Sequence, residues 1–269
     1  MNNYPNIQAV ELSIGINTVI DPSATIKGVN GKANRVLIGD NCYVGANVQI
    51  INDDFVLGDY SKIHHHSNVH GYKPCHIGHN LWMGQYCIID SIGGVNIGDN
   101  CGIGAHSQLW SHIKYGDTLE GCQFLSDKPI NIGKDVWFVG HCIVSPITAA
   151  DKSMALVGSV IVKDMKYNEI YSGVPAKSIS DKVGTQFKEI SSDVKMKKMQ
   201  GYLNDFKKKS GLPCKSIRII MDKNDITDTD LSYFVINDRV YCKQQTTDEI
   251  EFMKYLLPAK AKFTPFKIV

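Results

Sequence analysis

Residues 97–108 read IGDNCGIGAHSQ and residues 38–49 read IGDNCYVGANVQ, the same twelve-residue phrase twice, each time built from two hexads. In a hexad an aliphatic residue is followed by Gly, two mostly polar residues and a small or apolar one. The units LGDYSK, IGHNLW, MGQYCI and IGKDVW carry this beat from about residue 14 to about residue 165. A period of six fits neither a single helix nor a long half-buried strand. It fits a short strand and a tight turn, repeated, with three hexads closing one triangular coil of about 18 residues. The aliphatic residue of each hexad then points inward and stacks on its equivalents, while Gly and Asn or Asp take the strained turn positions. One coil cannot bury its own face, so only a stack of coils is stable: a prism with a solid aliphatic core.

Outward from that phrase the beat fails. CGIGAHSQLWSHIKYGDTLEGC (101–122) starts in register, leaves it at Trp110-Ser111-His112, and the hexads resume only at INIGKDVW (130–137). KPC at 73–75 and SIGG at 91–94 are smaller irregularities that preserve the coil. The insertion at about 114–128 predicts a loop projecting from one corner of the prism. Such a loop adds nothing to the stacked core, which makes it a candidate for contact with a ligand or another subunit.

After IVKD (161–164) the pattern ends, and Gly173 and Pro175 in IYSGVPAK (170–177) mark an exit turn. The expected organisation is a β-helical domain over 1–183 and a small α+β domain over 184–269. In the second, QFKEISSDVKMKKMQGYLNDFKKK (186–209) sets Phe187, Ile190, Val194, Met199, Leu203 and Phe206 at roughly helical spacing and ends in a lysine-rich turn. KSIRIIM (215–221) and SYFVINDRVYCKQ (232–244) read as strands, and TTDEIEFMKYLL (246–257) as a helix capped by Thr246 or Thr247. Covering the apolar end of the last coil is the simplest role for this unit.

With 43% hydrophobic residues and a net charge of +2, the chain has no strong electrostatic attraction to nucleic acid or to an anionic membrane. It shows neither a secretory leader nor an apolar run long enough to span a bilayer, so the expectation is a soluble cytoplasmic protein. Cys42, Cys87, Cys101 and Cys142 each follow a hexad-opening residue by four positions, where a small buried side chain is wanted. They read as stacked core thiols rather than disulfides or metal ligands.

All nine histidines lie between His64 and His141. His65 and His70 have the spacing of a paired-imidazole zinc site, but the chain has no histidine two coils earlier to complete the set, and zinc needs three protein ligands to activate water. A zinc-dependent hydratase of the carbonic anhydrase type therefore stands as an alternative, a non-catalytic scaffold as another, and no metal is expected. Acyl transfer asks less of the sequence. It needs a base to take the acceptor's proton, a role in which an imidazole supplies roughly 10²–10⁴ in rate. It also needs backbone N–H groups to hold an oxyanion. His112 is the candidate base, because it stands where the strand leaves the core and the loop begins. His64 and His66 read as turn residues bonded along the stack.

The repeats, together with KPINIGKDVWFVGHCIV, GSVIVKD and YSGVPAK, resemble the hexapeptide-repeat acyltransferases, above all the O- and N-acetyltransferases of sugars and other small molecules. The resemblance covers about residues 14–180. It implies a left-handed parallel β-helix, a hand that chain physics alone does not select. It further implies a homotrimer with three acyl-CoA sites at subunit interfaces, acetyl-CoA as donor, and a sugar or nucleotide-sugar acceptor in surface-polysaccharide assembly. The family's catalytic histidine, which precedes the PI-x-IG run, falls on His112. Trp137, Gly140, Gly158 and Ser159 match residues along the pantetheine and adenine, and Pro175, Ala176 and Lys177 match the terminal coil near the nucleotide. Asp117 and Glu120 in GDTLEGC are candidates to orient His112 or bind an acceptor hydroxyl; for Asp117, plain turn chemistry explains the residue equally well.

Overall fold

A computed structural model describes residues 6–266. Contacts divide the chain into two units, Met1–Phe187 and Lys188–Val269. In the first, three parallel sheets form the faces of a left-handed β-helix. Face I runs from Ala9–Ile14 to Thr148–Ala149 and face III from Thr25–Lys27 to Val160–Ile161, with seven strands each. Face II runs from Val19–Ile20 to the antiparallel pair Ile170–Gly173 and Ala176–Ser178, with nine. The interior is the expected aliphatic column: Ile26, Ile50, Ile63, Met83, Ile89, Ile103, Phe138 and Val144 are all fully enclosed. Cys42, Cys87, Cys101 and Cys142 are buried among them, and every cysteine is a free thiol.

Two corners are regular, for a reason the strand pattern does not reveal. The left-handed positions are held by Asn41, Tyr60, Asn80 and Asn100 at the corner between faces I and II, and by Asn47, His66, Tyr86, His106 and His141 between II and III. The amides of these corner residues reach carbonyls of the preceding coil, as His66 N does to Ala46 O at 2.9 Å and His106 N to Gln85 O at 3.0 Å, except that Asn47 N donates to the Ser23 hydroxyl at 2.8 Å. The hexad glycines do different work from that expected. Gly58 and Gly84 are absent from the residues with positive φ. A Cβ at Gly58 would lie 2.5 Å from the carbonyl carbon of Gly78, and one at Gly84 would lie 2.6 Å from the amide of Ala105. Close approach between coils, not turn strain, demands them.

The third corner, from face III back to face I, absorbs every change in coil length. Hydrogen-bonded equivalents lie 24 residues apart at the first coil, then 19 and 20, then 35 across the insertion, and 17 after it. The middle coils are longer than the expected 18 because Tyr72–Pro74 and Ser91–Gly94 bulge here. Pairing survives the longest coil: Val95 aligns with Ile130 and Ile97 with Ile132.

The second unit is a four-stranded sheet, Ile217–Ile220, Ser232–Val235, Val240–Cys242 and Thr264–Phe266 in spatial order, with only the central pair antiparallel. In the first unit, α1 is the single turn Ser180–Val183. α2 spans Ser192–Ser210, starting later than its apolar spacing suggested. It buries Met199, Leu203 and Phe206, while Phe187 and Ile190 precede it. α3 spans Thr247–Leu256 with Thr246 as its cap. Phe206 and Phe234 both pack on Phe252, with ring centroids 5.3 Å apart, to form a separate core. Among the described residues no helix is long and apolar enough to cross a membrane.

Candidate active site

The irregular corner carries a buried polar cluster centred on Asp90. Asp90 ends the face III strand Ile88–Asp90. Since Ile89 points into the core, Asp90 points out, yet it is 0% exposed. Its register partner one coil back is His70, and Trp110 takes the same place one coil on. The His70 and Trp110 rings, from the coils on either side of Asp90, meet edge to face at 6.3 Å.

Oδ2 of Asp90 accepts from the Ser111 amide at 2.9 Å, the Ser111 hydroxyl at 2.8 Å and Nδ1 of His112 at 2.7 Å. Oδ1 takes the Ile92 amide at 3.3 Å and faces Nε2 of His70 at 3.5 Å. A carboxylate only accepts, so the His112 proton sits on Nδ1 and the lone pair on Nε2. The His112 side chain is 22% exposed, and among the described residues its Nε2 has no hydrogen-bond partner. Ser111, fully buried, also accepts from the Gly93 amide at 2.8 Å, tying the bulge at 91–94 to the base of the loop.

The loop is pinned where it leaves the prism. Ile113 and Ser126 exchange backbone hydrogen bonds of 2.7 and 2.9 Å, and Lys114 reaches Asp127 at 2.9 Å. The Lys114 ammonium, with Lys73 beside it, holds the Asp127 carboxyl below its ordinary range. Beyond this base the loop exposes Tyr115, Leu119 and Phe124, which are 101%, 91% and 82% accessible. Asp117 Oδ1 accepts from the amides of Leu119 and Glu120 at 2.9 and 3.3 Å, and Glu120 is exposed. The carboxylate against His112 is thus Asp90, a residue that motif reading did not single out, whereas Asp117 closes a turn.

The expected donor-binding positions lie elsewhere on the prism. Trp137 lies on face II, 44% exposed, its indole over Gly102, where a Cβ would come within 2.8 Å of Cδ1. Gly140 and Gly158 stack on the corner between faces II and III, the Gly158 amide donating to Gly140 O at 3.0 Å. Ser159 is fully buried: its hydroxyl donates to Leu156 O at 2.7 Å, its amide to the same carbonyl at 3.3 Å, and its carbonyl accepts from the Ile143 amide at 3.0 Å. Pro175, Ala176 and Lys177 form the outer hairpin, with Lys177 opposite Ser172. Within one chain, face III separates His112 from Gly140 and Gly158.

The other histidines have separate tasks. His66, Tyr86, His106 and His141 stack as a ladder with centroid spacings of 5.0, 5.2 and 4.8 Å, and His65 meets Tyr86 edge-on. His79 Nδ1 accepts from the Asp59 amide, the task aspartates perform in other hexads. His76 and Arg35 share Asp54. His64 lies between Tyr43 and Trp82, and its burial, aided by Lys62, lowers its proton affinity. His65 thus stands on a corner and His70 on a face, engaged with different partners. Among the described residues no group of three or more metal-ligating side chains is found.

The fold and the repeats resemble those of hexapeptide-repeat acetyltransferases of sugars and related compounds. Among particular proteins, the chain is 31% identical over 109 residues to the galactoside O-acetyltransferase of Escherichia coli (strain K12), a match covering 39% of this chain. The chain spans about half of that relative, 53% of its length. Similar solved structures include a maltose O-acetyltransferase from Clostridium difficile 630, at 25% identity, coverage of 54% and 70% of the two chains, and a TM-score of 0.36. They also include the polySia-specific acetyltransferase NeuO, at 17% identity, coverage of 69% and 82%, and a TM-score of 0.49. No family model matches the sequence.

Proposed function

We propose that the protein transfers an acyl group, acetyl in the first instance, from a coenzyme A thioester to a hydroxyl or amine of a sugar or nucleotide sugar. The observation that carries this reading is His112, held through Nδ1 by a buried carboxylate with Nε2 open. In the reaction Nε2 takes the proton of the attacking hydroxyl or amine as its heteroatom bonds to the thioester carbonyl carbon. The C–S bond then breaks, and the departing sulfur recovers the proton from the imidazolium. Asp90 orients the ring and balances its transient positive charge, as the buried aspartate does in other acyl-transfer sites. The name of the Escherichia coli relative supports a sugar hydroxyl as acceptor.

The donor fits the surface between two prisms better than a single chain. Trp137 offers an apolar ring, and Gly158 offers backbone with nothing within 4 Å of where a Cβ would stand. Both lie away from His112, and the loop carries four exposed apolar side chains, Tyr115, Leu119, Phe124 and Leu125. A homotrimer, in which one subunit's His112 faces the neighbour's donor groove, unites these features. A cytoplasmic setting suits the CoA thioester and the free cysteines.

The test is His112→Ala, assayed with acetyl-CoA against a panel of sugars and nucleotide sugars. Turnover is expected to fall at least ~100-fold while CoA affinity stays within about twofold. Normal turnover in that variant would overturn the assignment.

A further inference from the structure

At the two regular corners, backbone bonds between successive coils do most of the pinning. The third corner carries bulges of different length, and there buried side chains share the task. Asn52 ends the face III strand Gln49–Asn52 and is 0% exposed. Its Nδ2 donates to Gly71 O at 2.7 Å, to Lys73 O at 2.8 Å and to Ser91 Oγ at 2.8 Å, so three oxygens share two hydrogens. Its Oδ1 accepts from the Asp54 amide at 2.9 Å. Ser91 stands two coils on from Asn52. Gly71, the register partner of Asn52, belongs to the coil between them, and a Cβ there would come within 2.5 Å of Ser91 Oγ. The missing side chain is what lets the Asn52 amide reach so far.

Ser91 is also the middle residue of the turn that aims Asp90. Its amide and its hydroxyl both donate to His70 O, at 2.7 and 3.1 Å. Its two neighbours close the turn around it, the Ile92 amide donating to Oδ1 of Asp90 at 3.3 Å. From Oδ2 the path continues to Ser111 and to Nδ1 of His112. Asn52, Ser91, Asp90 and Ser111 are all 0% exposed, so a buried polar column runs along this corner and ends on the imidazole.

We infer that Asn52 is a positioning residue for His112, acting through Ser91 and Asp90. The inference rests on the reading of His112 as the base. Asp90 can hold the ring in one orientation only if its own turn is fixed, and that turn is anchored by a hydroxyl bonded to Asn52. Water offers neither group an alternative partner, which makes the anchor firm. A slack turn would let Nε2 drift from the attacking heteroatom, and a displacement of about 1 Å in a reacting group costs on the order of 10²-fold in rate.

The experiment uses the full chain and two variants. Ser91→Ala removes one hydroxyl and keeps the backbone bond to His70, and Asn52→Ala removes the anchor itself. Ile50→Val, a core truncation on the same strand as Asn52, is the control for plain loss of stability. Amide hydrogen exchange at Ile92 and Ser111, whose N–H groups bind Asp90, is expected to be at least ~10-fold faster in both variants than in the control. With acetyl-CoA and an accepted sugar, kcat is expected to fall about 10-fold while both KM values stay within about twofold. Exchange no faster than in Ile50→Val, or a kcat loss in Ile50→Val as large as in the variants, would show that Asn52 only supports the fold and would overturn the inference. If Asn52→Ala does not fold, Ser91→Ala alone decides. Faster exchange at these amides with turnover that does not need His112 sinks the acyl-transfer reading and leaves the positioning of the ring standing. Turnover lost in His112→Ala but untouched in Ser91→Ala sinks this inference alone.

Discussion

Asp90 illustrates why an outward-facing residue can still be a buried one. Strand alternation sends it toward solvent, yet it is fully buried, with His70 and Trp110 as its neighbours one coil below and one coil above and Ser111, His112 and the Ile92 amide bonded to its oxygens. Neither hexad periodicity nor a motif reveals this, because it depends on the 20-residue register that brings His70, Asp90 and Trp110 into one column. Aligning the coils by the buried residue of each face III strand, Val69, Ile89 and Leu109, and reading the residue after it would have exposed the trio. His112, by contrast, was legible, since it stands at the break in the beat. Asp90→Asn separates orientation from charge. An amide oxygen can still accept from Nδ1 of His112, but it no longer balances an imidazolium. Turnover is expected to fall about 10- to 100-fold, less than for His112→Ala, with donor KM little changed. A loss equal to that of His112→Ala would mean that Asp90 does more than balance charge.

Among elements, the corners and caps show where local chemistry decides. Asn at a left-handed position was foreseeable, and His66 read as a turn residue; Tyr86 and His106 there were not foreseen, because backbone bonds along the stack make the position tolerable for larger side chains. In the second unit, α3 is held at its start by Glu249, which is 1% exposed. Its carboxylate accepts from the Ser232 hydroxyl at 2.5 Å and from the amides of Gln244 at 2.7 Å and Gln245 at 3.2 Å. Burial raises the Glu249 carboxyl above its ordinary 4.5 despite these donors. The group's stabilising contribution is therefore complete below the unfolded value and is lost as pH rises through the folded one. Urea unfolding of the wild type and of Glu249→Gln between pH 4 and pH 8, roughly, should show a slope in the first that is flattened in the second. Parallel curves would refute that origin. The α2 start was misjudged in the sequence because Phe187 and Ile190 continue the apolar spacing beyond the cap at Ser191, and capping outweighs spacing there.

At the scale of the whole molecule, the prism was legible almost throughout, since each hexad states its own inward residue. What the sequence left open is how chains associate, because association uses side chains outside the repeat. Tyr115, Leu119 and Phe124 hold large apolar side chains almost fully open to water on one loop. For a 29.9 kDa chain, light scattering is expected to report a mass of roughly 90 kDa, and Leu119→Asp with Phe124→Asp to lower it toward the monomer. An unchanged trimer in the double variant would place the contact elsewhere, and a monomeric wild type would remove the shared donor groove.

The corner between faces III and I has one more consequence. Because coils of 17 to 35 residues all return to the same pairing, length at this corner is uncoupled from phase everywhere else. The fold behaves as a screw whose thread can be lengthened at one edge without altering its pitch. Segments of new length and chemistry can be spliced there, beside His112, while the rest of the scaffold keeps its register. An insertion at the Asn100 corner, where no slack exists, would instead shift every strand that follows.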